Sequence, residues 1–259
     1  MNFDKEYNNL IDLRKLIVEM VYLSKEGHMP SSFSCLDVMY MLYKHLMKNE
    51  DTFILSKGHA SFGLYVVLYS MGYISREELV NCCKYNSNLG GHPDRNKIPE
   101  VVASTGSLGH GLPIAVGIAL AKKIKKEPGK VFCVIGDGEM NEGSMWESLL
   151  IINNLGLNNI VPIIDYNKSQ IRSLHIKNIS KKIESFGFNC ISIDNNLEDI
   201  HNSINNTSFD IPTAIILNSI KGQGLKVLEN NMFEWHHKAP NKEQFQEFIK
   251  TLNNAYITT

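Results

Sequence analysis

Leu10, Leu13, Ile17 and Met20 recur at the spacing of one helical face and predict an amphipathic helix from about residue 4 to residue 25, stopping at Gly27-His28-Met29-Pro30. Two capping-box patterns follow. Ser34-Cys35-Leu36-Asp37 precedes VMYMLYKHLM, and Ser75 with Glu78 precedes ELVNCCKY, so helices should dominate this first stretch. The rhythm then changes to short runs rich in β-branched residues at 131–135, 160–164, 190–193 and 213–217. Helical patterns separate them: one near 143–155 ends at Gly156, one near 178–186 ends at Gly187, and Leu197, Ile200 and Ile204 mark a third. Phe245, Phe248, Ile249 and Leu252 after Asn241 predict a terminal helix. Strand alternating with helix implies an α/β fold, a parallel sheet covered by helices on both faces, because right-handed crossovers put the helices there.

Composition narrows the class of function. The 259 residues are 43% hydrophobic and 20% charged, as in an ordinary globular chain, and no shift in composition divides residues 1–259 into two domains. With a net charge of -1 there is no broad basic surface for nucleic acid or an anionic membrane. No apolar run approaches the roughly 20 residues that span a bilayer, and MNFDKEYNNL lacks the basic end and apolar middle of a signal peptide. A cytoplasmic location is therefore expected. The five cysteines are odd in number and contain no CxxC pair, which argues for reduced, buried thiols instead of a disulfide framework or zinc site.

In an open parallel sheet the ligand site lies beyond the carboxyl ends of the strands. There, VFCVI runs into Gly136-Asp137-Gly138, IVPII into Asp165-Tyr166-Asn167-Lys168-Ser169, and TAIIL into Asn218-Ser219-Ile220-Lys221. Glycines beside Asp137 permit a sharp turn and the close approach of a bulky anion, and the N–H groups of the helix that follows suit a phosphate. Neighbouring strand tips bring Asp137 and Asn167 within about 5 Å. An oxygen pair of this kind suits magnesium, which takes few protein ligands and completes its shell from phosphate and water. Neither a GxGxxG after a strand nor a GxxxxGK[ST] loop occurs.

GDGEMNEGSMWE, running on to IIDYN, resembles the thiamine-diphosphate motif, and its companions narrow the resemblance to the transketolase family, specifically the amino-terminal subunit of a split transketolase. Those companions are Glu26-Gly27-His28, Leu55-Ser56-Lys57-Gly58-His59-Ala60, Gly91-His92-Pro93-Asp94, the stretch from Ser104 to Gly111, Lys221-Gly222-Gln223-Gly224 and the segment from Glu234 to Pro240, in the family's order. The resemblance implies metal ligation by the side chains of Asp137 and Asn167 and the carbonyl of Ser169. It implies cofactor contacts from Gly136, Gly138, Gly106, Leu108, His59 and His236, and catalytic roles for His28, His59, His92 and His236 in moving protons at a sugar. Glu142 matches a glutamate of an acid network between the two active sites of a dimer. His237 is the fallback for His236. After His28 this chain has Met-Pro-Ser-Ser, where the family more often has Pro-Gly-Gly or Pro-Gly-Ala.

The resemblance further implies transfer of a two-carbon ketol unit from a ketose to an aldose, with thiamine diphosphate and magnesium as cofactors. In this family the acid that activates the cofactor's aminopyrimidine lies on a pyrimidine-binding domain beyond the part resembled here. A carboxy-terminal subunit in a heterotetramer is therefore the expected partner. Alternatives are a 2-oxo acid dehydrogenase subunit, which the several histidines disfavour, a deoxyxylulose-phosphate synthase fragment, an enzyme of specialised sugar biosynthesis, and an inactive binding module of the same fold.

Overall fold

The computed structural model describes residues 1–172, 174–207 and 210–257. Its helices are α1 (Phe3–Ser24), α2 (Met29–Met41), α3 (Ser61–Ser70), α4 (Arg76–Val80), α5 (Gly111–Lys125), α6 (Gly143–Asn154), α7 (Ile179–Glu184), α8 (Leu197–Asn205), α9 (Lys226–Asn230) and α10 (Lys242–Asn253). The strands are β1 (Thr52–Leu55), β2 (Val131–Gly136), β3 (Ile160–Asp165), β4 (Asn189–Asp194) and β5 (Thr213–Asn218). They form one parallel sheet in the order β1-β2-β3-β5-β4. No helix among the described residues is long and apolar enough to cross a membrane.

Alternation along the strands divides two cores. Phe53, Leu55, Phe132, Val134, Val161, Ile163, Ile215 and Leu217 face α1, α2, α3 and α8, whereas Ile54, Cys133, Ile135, Ile160, Ile164 and Ile216 face α5, α6 and α7. Each central strand therefore reads as an unbroken apolar run, because both of its faces are buried.

One expected helix start is wrong. Ser34 does not cap a helix; α2 begins five residues earlier, at Met29 behind His28, with Pro30 in its first turn. Ser34 and Asp37 lie buried inside α2, where Ser34 donates to Asp165 at 2.6 Å and Asp37 pairs with Arg14 at 2.5 Å. Both polar side chains of the pattern serve tertiary contacts instead of backbone amides. At Ser75 the capping box is present, although α4 stops at Val80, so the helix covers only part of ELVNCCKY. β1 is absent from the sequence-based expectation, since four residues carry too short a pattern, and α3 is buried almost all round and shows no apolar stripe.

Candidate active site

Four adjacent strands, β1, β2, β3 and β5, end on one edge of the sheet, and the residues after them enclose a cavity of about 440 Å³. All the residues named from the sequence as metal ligands, cofactor contacts or catalytic groups border it: His28, His59, His92, Gly106, Leu108, Gly136, Asp137, Gly138, Asn167, Ser169 and His236. Glu142 and His237 are not among the lining residues and are exposed. A cavity of about 610 Å³ at the opposite edge contains none of these residues.

At the centre, Ser169 ties two side chains together. Its hydroxyl donates to Asp137 Oδ1 at 2.9 Å and its N–H donates to Asn167 Oδ1 at 3.0 Å. Asn167 Nδ2 donates to Asp165 Oδ2 at 3.0 Å and to Ser34 Oγ at 3.3 Å, which fixes the amide with its oxygen on the Ser169 side. Asp137 Oδ2 is buried and accepts no hydrogen bond. Burial, then the negative charge of Asp165, raises the Asp137 carboxyl above its ordinary range. A buried carboxylate oxygen with nothing to accept from is costly, and a divalent cation relieves that cost. Carboxylate, amide and hydroxyl oxygens are donors that suit a hard ion sharing its shell with a phosphate, and among the described residues no three His, Cys, Asp or Glu side chains are grouped to hold a metal by themselves.

Sequence reasoning missed the support beneath this pair. Asp165, at the end of β3, accepts from Lys57 Nζ, Ser34 Oγ, Ser219 Oγ and Asn167 Nδ2. Burial opposes the charged form of Lys57, but the adjacent Asp165 outweighs it and holds the ammonium group above its ordinary value. Glu139 is a second buried anchor. It accepts from Ser56 Oγ at 2.5 Å and from the N–H groups of Gly109 at 2.9 Å and Gly136 at 3.3 Å, joining β1, β2 and the loop before α5. Lys57, Glu139 and Asp165 all belong to the motifs at the strand ends, but only tertiary contact shows what they hold.

Two glycines permit the cavity wall. A Cβ on Gly58 would stand 2.6 Å from the Thr105 carbonyl carbon, and one on Gly106, at φ +154, would stand 2.9 Å from the His92 ring. Gly58→Ala is therefore expected to displace the 104–109 loop at a cost of about 1–3 kcal/mol, read from a urea denaturation midpoint. An unchanged midpoint would show that the loop yields freely. Gly138 differs, because a Cβ there would meet nothing within 4 Å. The amides next to Asp137 belong to a 3-10 turn, Gly138–Asn141, and not to α6, which starts only at Gly143.

The histidines form a cluster whose tautomers can be assigned. His28 lies 5.3 Å from His59 and 5.0 Å from His236 between ring centroids. His28 Nδ1–H donates to the His236 carbonyl at 2.8 Å, leaving Nε2 as an acceptor in the neutral ring. Lys221 Nζ donates to His236 Nδ1 at 3.0 Å, which puts the His236 proton on Nε2. Trp235, buried edge-on against Phe248, anchors the turn, so His236 reaches the cavity while His237 pairs with Glu26 outside.

Burial lowers His28 to about 4 and, with Lys57 next in importance, lowers His59 to about 2. Both rings are thus neutral near pH 7. A histidine with a lowered folded value contributes stability that is complete above its unfolded value of 6.5 and is lost as pH falls toward the folded value. The denaturation midpoint of the free chain should therefore fall from pH 6.5 to pH 4, and His28→Asn should flatten that slope; equal slopes would exclude a lowered His28. Two further groups are poised for an anion. Ser31 Oγ is buried without a partner, and Lys221, lowered to about 8 by burial and then by Lys57, has no carboxylate within ion-pair distance among the described residues.

Fold and site together define an α/β domain whose parallel strands gather oxygen donors, histidines and a lysine around one cavity at their carboxyl ends. The family described as transketolase, thiamine diphosphate binding domain, matches residues 5–253, and the chain belongs to it. An apulose-4-phosphate transketolase subunit from Phocaeicola vulgatus is 34% identical over 257 residues, covering 93% of this chain and 91% of that protein. Human transketolase is 34% identical over 256 residues, but the match covers 41% of its length. The transketolase structure from Campylobacter jejuni superposes with a TM-score of 0.88 at 27% identity, over 98% of this chain and 43% of that one. The chain thus spans nearly the whole length of the Phocaeicola protein and about two fifths of a full-length transketolase.

Proposed function

We propose that the chain, as one thiamine-diphosphate-binding domain, is the amino-terminal subunit of a split transketolase that moves a two-carbon ketol unit from a ketose to an aldose. The observation that carries this reading is the unpartnered buried oxygen of Asp137 beside the oriented amide of Asn167. In this reading magnesium is held by those two side chains and the Ser169 carbonyl, and the diphosphate lies against Gly136, Gly138, Ser31, Lys221 and His236. Gly106 and Leu108 border the rings of the cofactor. Thiamine diphosphate, when bound, supplies the electron sink for cleaving the bond next to a ketose carbonyl. His28, His59 and His92 take and return hydroxyl protons, a task suited to neutral imidazoles.

A carboxy-terminal subunit carrying the pyrimidine domain completes the enzyme as a cytoplasmic heterotetramer. Its docking is supported by Ile114 on α5, Leu150 and Ile151 on α6 and Leu155 just after it, all exposed, and by exposed Leu108 at the cavity edge. A second reading, specialised sugar metabolism with a phosphorylated ketose, is supported by the relatives named for apulose 4-phosphate. Assay of the chain with thiamine diphosphate, magnesium and a ketose should give no transfer alone and robust transfer once the partner is added. Full activity without a partner would overturn the split-enzyme reading. Calorimetry that finds no cofactor binding even with the partner present would favour an inactive module.

A further inference from the structure

Cys82 and Cys83 follow α4 in a turn that the proposed function does not use. Consecutive side chains in a strand point to opposite faces, so neighbouring cysteines ordinarily stand apart. Here Cys83 adopts a left-handed backbone, φ 62, and its sulfur lies 3.7 Å from that of Cys82. Left-handed backbone is uncommon for a residue with a side chain and marks a locally strained turn. Cys82 is buried against the α1–α3 core, whereas Cys83 is half-buried and borders a separate cavity of about 380 Å³. Lys84, Lys97 and Glu26 border the same cavity.

We propose that Cys82 and Cys83 form a reactive vicinal dithiol that low-molecular-weight disulfides oxidise to a cyclic disulfide between the two residues, with Cys83 attacking and Cys82 resolving. The cavity admits the reagent to Cys83, and the ammonium groups of Lys84 and Lys97 favour a carboxylate-bearing one. The hydrogen bond from Cys82 holds the Cys83 thiol below its ordinary range, although burial and the charge of Glu26 act the other way; the same contact raises Cys82. Of the two sulfurs, the accessible one of Cys83 is therefore the one that deprotonates more readily. Cys83 sulfur bonds to one sulfur of the reagent, the reagent's S–S bond breaks, and the departing thiolate takes up the proton that Cys83 released. Cys82 then gives up its proton and attacks the Cys83 sulfur of the mixed disulfide, expelling a second thiol that carries that proton away. Two cysteines are oxidised and one disulfide is reduced to two thiols. Because the Cys83 N–H donates to the Leu89 carbonyl at 2.7 Å, the pair is joined directly to the segment leading to His92.

The test is independent of the transketolase reading. The full chain is incubated with oxidised glutathione, alkylated and digested with trypsin, which releases residues 77–84 with both cysteines in one peptide. The expected product is that peptide lighter by two hydrogen atoms and alkylated at neither sulfur, while buried Cys35 and Cys133 stay reduced. Cys82→Ser should leave a stable glutathionyl adduct on Cys83, and Cys83→Ser should leave Cys82 unmodified. A peptide alkylated at both sulfurs, a lasting adduct on the unsubstituted chain, or equal oxidation of Cys35 and Cys133 would overturn the proposal.

Discussion

Asp137→Ala is expected to weaken magnesium-dependent binding of thiamine diphosphate by about a hundredfold or more, measured by calorimetry on the chain with its partner subunit. In the proposed site it removes the sole side-chain carboxylate on the cation. Losing one partner of a desolvated charge contact costs about 2–5 kcal/mol, and each 1.4 kcal/mol is about tenfold in affinity. The free chain should respond in the opposite sense. Oδ2 of Asp137 lies buried with nothing to accept from, so Asp137→Asn, which keeps the shape and drops the charge, should raise the unfolding midpoint without ligand. That variant should also lose the stabilisation that cofactor and magnesium give the parent chain. Undiminished binding by Asp137→Ala would remove the basis of the functional reading.

Lys57→Ala should destabilise the chain by about 3–5 kcal/mol in urea denaturation, enough to threaten folding in a protein of ordinary stability. Its ammonium group is the cation paired with Asp165, both side chains are almost wholly buried, and its removal strands a carboxylate inside the protein. Adding Asp165→Asn to Lys57→Ala should recover part of the loss, since the stranded charge disappears. Equal losses in the single and double variants would show that packing, not charge, makes Lys57 important. The single variant should also loosen Asn167, whose amide is oriented by the same carboxylate.

How much of this is legible without coordinates depends on how local the cause is. The apolar runs of β2, β3 and β5 and the stripe of α1 follow from burial repeated along a few residues, and their bounds fall within a residue or two of expectation. β1 is four residues long and α3 has no polar face, so neither carries a period that local reasoning can detect. Ser34 shows the opposite failure. Its hydroxyl matches a capping pattern, yet a carboxylate 131 positions away uses it.

The candidate site divides in the same way. Position at the strand ends nominates Asp137, its flanking glycines and Asn167, and the resemblance to transketolases adds the rest of the cavity lining, from His28 to His236. Sequence preferred His236 but left His237 as a fallback, and it could neither assign a ring proton nor reveal that Lys57, Ser34 and Ser219 gather on Asp165. Those outcomes depend on distances between strand tips and on which charges are shut away from water. Such quantities exist only once the parallel sheet has brought remote segments together.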